Sequence, residues 1–277
     1  MKTRSLSIPA SLVWIALLLS YNCAAQAQGY SVSRALAYQN AKDWQGLINY
    51  ATAWAKAEPN SIEAWGFVGN AYVFGLNQPD KAIAPLRRCV AIQPNSAPAW
   101  HALGVAYTMN KQYGEAVDAI KRAIEINPNQ PTYYNNLAAA YSGGNAVKSA
   151  ITALDQERAL AEKLNKANVW WTLGNGYAKL TDLNHSIAAY RRLLQLQPNF
   201  AQGWTNLGVV LQYNGDIAGA RAAFQKGKQL GDPLAGQDLA QMEADLRAQA
   251  QHAAAVQKEI AQGQVAAHML AVMHMSN

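Results

Sequence analysis

An aromatic residue returns along this chain at a nearly constant interval. Trp65, Trp100, Tyr134, Trp170 and Trp204 are separated by 35, 34, 36 and 34 residues. A period of 20–50 residues marks a stack of similar supersecondary units, each too small to bury its apolar face except against a neighbour. That one feature excludes a domain with a single mixed core. It also sets the question for every other residue: which position of the repeat does it fill?

The stretch from Trp100 to Pro128 shows the positions most clearly. Trp100, Leu103 and Tyr107 fall at i, i+3 and i+7, on one face of a first helix, and Trp100 and its equivalents are expected to be largely buried in the core. Gly104 sits inside that helix, where it costs about 1 kcal/mol relative to Ala, so a packing reason is expected. Ala116, Ile120 and Ala123 form the apolar face of a second helix, which Pro128-Asn129 ends. Elsewhere the small position of the first helix holds Gly69, Ala138, Gly174 and Gly208. The last aromatic position holds Tyr72, Tyr141, Tyr177 and, in the fifth unit, Leu211. Ala82, Ala150, Ser186 and Ala220 stand where Ala116 does, and Pro59, Pro94 and Pro198 punctuate the units.

This pattern, Trp-x-x-Leu-Gly-x-x-Tyr followed by Ala-x-x-x-Ile and Pro, resembles the tetratricopeptide repeat, with Ile120 where Phe is usual. The resemblance implies an all-α fold, a right-handed superhelical solenoid of helix pairs with a C-terminal capping helix. Five repeats are expected over 62–234, starting near 62, 97, 131, 167 and 201, behind a degenerate one over 28–61 that carries Tyr38, Asp43-Trp44 and Pro59. The extra residue of the first interval is placed in the turn near Asn77-Gln78-Pro79. The two extra before Trp170 lengthen a second helix, where Leu164-Asn165 replaces Pro-Asn.

The same resemblance implies a binding scaffold rather than an enzyme, with a peptide segment or helix of a partner protein held in the concave groove. Groove positions lie one, two and five residues after the opening aromatic. The candidate partner-binding residues are therefore Phe67, Asn70, His101, Asn135, Asn136, Trp171, Asn175 and Asn206. Asn offers a donor and an acceptor and so suits a peptide backbone. Phe67 and Trp171 are expected to stand clear of the core as aromatic anchors. Asn175 and Asn206 match two Asn of the carboxylate-gripping co-chaperones of this family. Trp171 stands where those proteins need Lys, so carboxylate recognition is not carried over.

Residues 1–27 read as a secretory signal peptide: Lys2 and Arg4 precede the apolar run Leu12–Leu19, and Ala25-Gln26-Ala27 offers a cleavage site. A periplasmic protein is expected. The alternative is an outer-membrane lipoprotein acylated at Cys23, resembling the pilotins of type IV pili. Without Lys2 and Arg4, 21 basic residues face 17 acidic ones, too mild a balance for nucleic acid. Arg87-Arg88, Lys121-Arg122 and Arg191-Arg192 recur on the second helices, with Lys226 continuing the row. They read as a solvated face, with membrane contact the minor alternative. Cys89 fills the slot of Ala123 and reads as a buried small residue without a disulfide partner.

Residues 235–277 read as a capping and extension helix. Leu239, Met242, Leu246, Ala253, Val256 and Ile260 form its apolar stripe, broken by Gln249. The tail holds His268, Met269, Met273, His274 and Met275, donors that suit Cu(I). Copper binding there is an alternative to a plain apolar helix end. No catalytic residue, metal site or cofactor is expected, because the five His are scattered and no nucleophile motif is present.

Overall fold

The structure is a computed structural model that describes residues 29–275, with side chains through 262. Thirteen helices are found in the described part: α1 (Val32–Asn40), α2 (Trp44–Ala57), α3 (Ile62–Asn70), α4 (Pro79–Ile92), α5 (Ala97–Met109), α6 (Tyr113–Ile126), α7 (Pro131–Gly143), α8 (Val147–Leu164), α9 (Ala167–Lys179), α10 (Leu183–Leu196), α11 (Ala201–Tyr213), α12 (Ile217–Gln229) and α13 (Pro233–Met275). Contacts divide the chain into two compact units that meet between Asn165 and Lys166. The first holds α1–α8 and the second α9–α13.

Each pair begins and turns for local reasons. Ser61, Ser96, Asp182 and Asp216 cap their helices by accepting a backbone N–H three residues on. The turn between the two helices of a pair places one residue in the left-handed region: Asn77, Lys111, Asn145, Thr181 and Gly215 in the five repeats. That single residue reverses the chain, so the second helix packs antiparallel on the first. The small residue of the first helix is then covered by a large one from the second. A Cβ on Gly104 would overlap the side chain of Ile120, and one on Gly174 would stand 2.6 Å from the ring of Tyr190. The glycines therefore serve close helix approach, at the expected propensity cost. Ser186 in the alanine slot is fully buried, and its hydroxyl donates to the Gly174 carbonyl at 2.8 Å.

Two sequence expectations need correction. The extra residue of the first repeat is not in the turn at Asn77–Pro79. It is absorbed earlier, as one wide turn of π-helix over Ala71–Gly75 closing α3. The Gln78 N–H accordingly bonds Tyr72, six residues back, whereas the Gln112 N–H bonds Tyr107, five back. The wide turn leaves Gly75 against the indole of Trp44, with no room for a Cβ. The second correction concerns the opening aromatics. Trp65, Trp100 and Trp204 are half-buried rather than buried, while Tyr134 and Trp170 are buried. Trp65, Trp100 and Trp204 Nε1 donate to the carbonyls of Pro59, Pro94 and Pro198 at 3.0, 2.8 and 2.8 Å, and Tyr134, although buried, donates its Oη to that of Pro128 at 3.0 Å. Each ring ties its helix to the preceding proline turn, at the rim of the core. Trp170 has no such proline, because α8 runs on to Leu164, and its buried Nε1 finds no acceptor among the described residues.

Cys89 is buried, its Sγ 3.5 Å from the Ile62 carbonyl, and burial pushes its thiol up to about 12. Ala235 and Met242 of α13 are buried, so the start of this helix covers the last pair. From Arg247 to Gln262 every side chain is exposed, Val256 and Ile260 included.

Candidate partner-binding surface

The residues one, two and five places after the opening aromatic sit on the first helices of the repeats. In the first unit they are largely spent on internal bonds. Phe67 is not free of the core, as the sequence reading had it. It is half-buried, its ring 6.5 Å from Trp54, because the N-terminal pair places its own aromatics against α3. Asn70 ends α3 exposed. Asn135 donates to Glu157 at 3.1 Å, a carboxylate with no solvent exposure. His101 and Asn136 join α5 to α7, with Asn136 Nδ2 2.5 Å from His101 Nε2. An amide nitrogen only donates, so Nε2 accepts and the imidazole proton sits on Nδ1. The ring lies 4.6 Å from that of Tyr133, and burial lowers its pKa to about 4. This imidazole is a neutral structural group.

The second unit gathers the rest into one constellation. Asn206 on α11 donates its amide to Asn175 Oδ1 on α9 at 3.2 Å, and Tyr190 of α10 donates its hydroxyl to the same oxygen at 2.7 Å. Asn206 Nδ2 also lies 3.3 Å from the Tyr190 hydroxyl. Burial pushes the Tyr190 phenol up to about 12, against the hydrogen bond from Asn206. It therefore stays a donor throughout the neutral range. Trp171 stands beside this triad, half-buried and so, like Phe67, not clear of the core as expected, its ring 6.0 Å from buried Tyr190 and 5.1 Å from Phe200, both edge-on. Asn175 Nδ2 and Asn206 Oδ1 have no hydrogen-bond partner among the described residues. One donor and one acceptor are thus held on the same face, next to a tryptophan.

Tyr190 and Phe200 escaped the sequence reading. Tyr190 fills a core slot that Leu86, Ile120, Leu154 and Phe224 fill elsewhere, and its hydroxyl bonds Asn175 of the first helix. Phe200 occupies the cap position held by Ser61 and Ser96, and α11 accordingly lacks a side-chain cap. A polar tip in an aliphatic slot and an aromatic in a serine slot were the available signals. Cys23 and the side chains of the His- and Met-bearing tail lie outside the described residues.

The geometry is that of an all-α repeat solenoid. Tetratricopeptide repeat patterns match residues 62–96, 97–130 and 172–234. A TPR repeat-containing protein of Pseudomonas aeruginosa is 34% identical over 71 residues, 26% of this chain and 68% of that protein. Tetratricopeptide repeat protein 37 of Xenopus laevis is 39% identical over 66 residues, 24% of this chain but 4% of its own length. Among solved structures, a chain of the APC/C hetero-tetramer Cut9–Hcn1 superposes with a TM-score of 0.56 at 17% identity, covering 75% of this chain and 41% of that one. The C-terminal part of a TPR repeat-containing protein from Cytophaga hutchinsonii gives 0.57 at 13% identity, covering 72% and 79%. Those two likenesses show the fold alone. The chain belongs to the tetratricopeptide repeat family. Proteins of this family are generally non-catalytic scaffolds for protein–protein interaction.

Proposed function

We propose that this protein is a periplasmic adaptor that holds an extended segment or helix of an envelope or secretion component against the shared face of α9 and α11. The observation that carries the reading is the Asn175–Asn206 pair. Its internal bonds fix both amides in place and leave one donor and one acceptor for a peptide unit. Pre-organisation of this kind lowers the ordering cost of binding. Trp171 supplies an aromatic beside the pair, and a desolvated tryptophan is worth about 2 kcal/mol or more at an interface. Backbone recognition makes few demands on partner sequence, which suits a protein that escorts segments rather than modifying them.

The test is capture from a native envelope fraction, comparing wild type with Asn175→Ala/Asn206→Ala and with Trp171→Ala, each first shown to melt like wild type. Loss of the same partners in both variants supports the reading; wild-type yield in both removes this face as the binding surface. Periplasmic placement rests on the sequence of residues 1–27, and intact mass of the mature protein checks it. A chain beginning at Gln28 is expected. Added acyl mass at Cys23 would place the protein at the outer membrane instead.

A further inference from the structure

A cleft recurs at equivalent places in the repeats, between a second helix, the next first helix and that pair's own second helix. In the first unit, one of about 560 Å³ lies between α4, α5 and α6, and one of about 380 Å³ between α6, α7 and α8. In the second unit, one of about 610 Å³ lies between α10, α11 and α12. The leading helix supplies a cation to each: Arg87, Lys121 and Arg191. In the first two, a tyrosine of the following helix holds it. Arg87 Nε donates to the Tyr107 hydroxyl at 2.6 Å, and Lys121 Nζ lies 5.8 Å from the centre of the Tyr141 ring.

In the third cleft, Leu211 stands in the tyrosine's place. Arg191 then has no ring, hydroxyl or carboxylate partner among the described residues, and neither does Lys226 across the cleft. The far wall changes too. Where the first cleft carries Glu115 and Asp118, the third carries Gly219 and Ala222, and no acidic residue lines it. What remains is an apolar floor of Trp204, Leu207 and Leu211 between two cations.

We propose that this cleft is a second binding site, separate from the Asn175–Asn206 pair, for an acidic peptide that seats one bulky apolar side chain between carboxylates. Charge complementarity selects that occupant. A neutral apolar ligand would partly desolvate Arg191 and Lys226 without pairing them, and a purely acidic one would leave the floor wet. The two equivalent clefts serve as internal controls, because there the cation is already engaged.

Fluorescence anisotropy of the full mature protein tests it, using a tetramethylrhodamine-labelled peptide with one Phe between paired Asp residues. Replacing the peptide's Phe by Ala, or its Asp by Asn, should each weaken binding about tenfold or more, and added salt should weaken it further. Arg191→Gln/Lys226→Gln should do the same, while Arg87→Gln and Asn175→Ala/Asn206→Ala should leave binding unchanged. Leu211→Tyr, which restores the ring of the other two clefts, should also close the site. If that variant does not fold, the double variant of surface cations still decides. Wild-type binding by the double variant overturns the proposal. So does Arg191- and Lys226-dependent flotation with phosphatidylglycerol vesicles in the absence of peptide binding, which would make a lipid surface the occupant.

Discussion

Repeats two and four share one frame and differ in what reaches the first-helix face. In repeat two, Ile120 fills the space over Gly104 and ends inside the core. In repeat four, Tyr190 fills the same space over Gly174, but its hydroxyl continues outward to Asn175 and Asn206. The neighbouring polar contact in the first unit, His101 with Asn136, instead joins two first helices without a core hydroxyl, the imidazole tilted against Tyr133. One slot therefore serves only packing in one repeat, and packing plus presentation in the other. The fold tolerates the exchange because the position demands volume, not polarity. A residue already fixed by the core is a rigid post from which to orient surface amides.

The largest expected effect breaks that slot in both places. Ile120→Ala should cost about 2–4 kcal/mol, and Tyr190→Ala about 4–5 kcal/mol, since the latter leaves a larger cavity and also deletes the hydrogen bond to Asn175. Urea unfolding of the two variants measures the difference; equal losses would mean that Tyr190 is only filler. Tyr190→Phe separates its two roles, costing about 1–2 kcal/mol while removing the post that orients Asn175.

The polar pairs should differ in their response to acid. Burial holds the His101 pKa down to about 4 in the folded chain, below the ordinary 6.5 of an imidazole. Between those values the unfolded chain binds more protons, so the stability from a neutral imidazole is present above pH 6.5 and lost as pH falls toward 4. The loss is on the order of 3 kcal/mol, from about 2.5 pKa units at about 1.4 kcal/mol per unit. Repeat four responds at the other end. Tyr190 is raised from 10.0 to about 12, so its contribution is intact below pH 10 and lost as pH rises through that interval. Unfolding midpoints of wild type and His101→Gln at pH 7, 5 and 4 should converge in acid. Parallel curves would show that His101 does not titrate in this window.

How legible these differences were in the sequence depends on what set them. Helix pairs and the small-residue slots follow from local periodicity and were readable directly. The π-helical turn over Ala71–Gly75 was not, because an extra residue leaves the same mark on spacing wherever the chain absorbs it. The structure chose the end of α3, where Gly75 admits Trp44. Asn175, Asn206 and Trp171 were readable as positions. Their joint geometry was not, because it depends on the tip of a core residue, and a periodic pattern scores Tyr190 as apolar. Phe67 was misread for a related reason: the degenerate N-terminal pair packs its own aromatics there.

The opening tryptophans offer a cleaner contrast between the same two repeats. Trp100 Nε1 is bonded to Pro94, whereas Trp170 Nε1 is buried without an acceptor among the described residues. Replacing the indole N–H by sulfur, through incorporation of benzothienylalanine at one site, preserves shape and deletes the donor. At Trp100 this should cost about 1 kcal/mol. At Trp170 it should be neutral or stabilising, because an orphaned buried donor is removed. A cost at Trp170 equal to that at Trp100 would show that its N–H is bonded in solution.

The smallest effect belongs to the turns. Lys111 and Thr181 occupy the same left-handed position, at φ +61° and +59°. An L-residue pays roughly 1–2 kcal/mol there, a β-branched side chain is worse placed than an unbranched one, and Asn is tolerated through local hydrogen bonding. The chain itself uses Asn77 and Asn145 at this position in repeats one and three. Thr181→Asn should therefore stabilise the protein by about 1 kcal/mol, and Lys111→Asn by about half as much, the first raising Tm by roughly 2–4 °C. The Thr181 hydroxyl, 2.7 Å from the carbonyl of Leu180, is exposed, and water replaces it at little cost. Thermal melts of the two variants rank the turns. If Lys111→Asn gains as much as Thr181→Asn, β-branching is not what strains repeat four, and the two repeats are alike at this position after all.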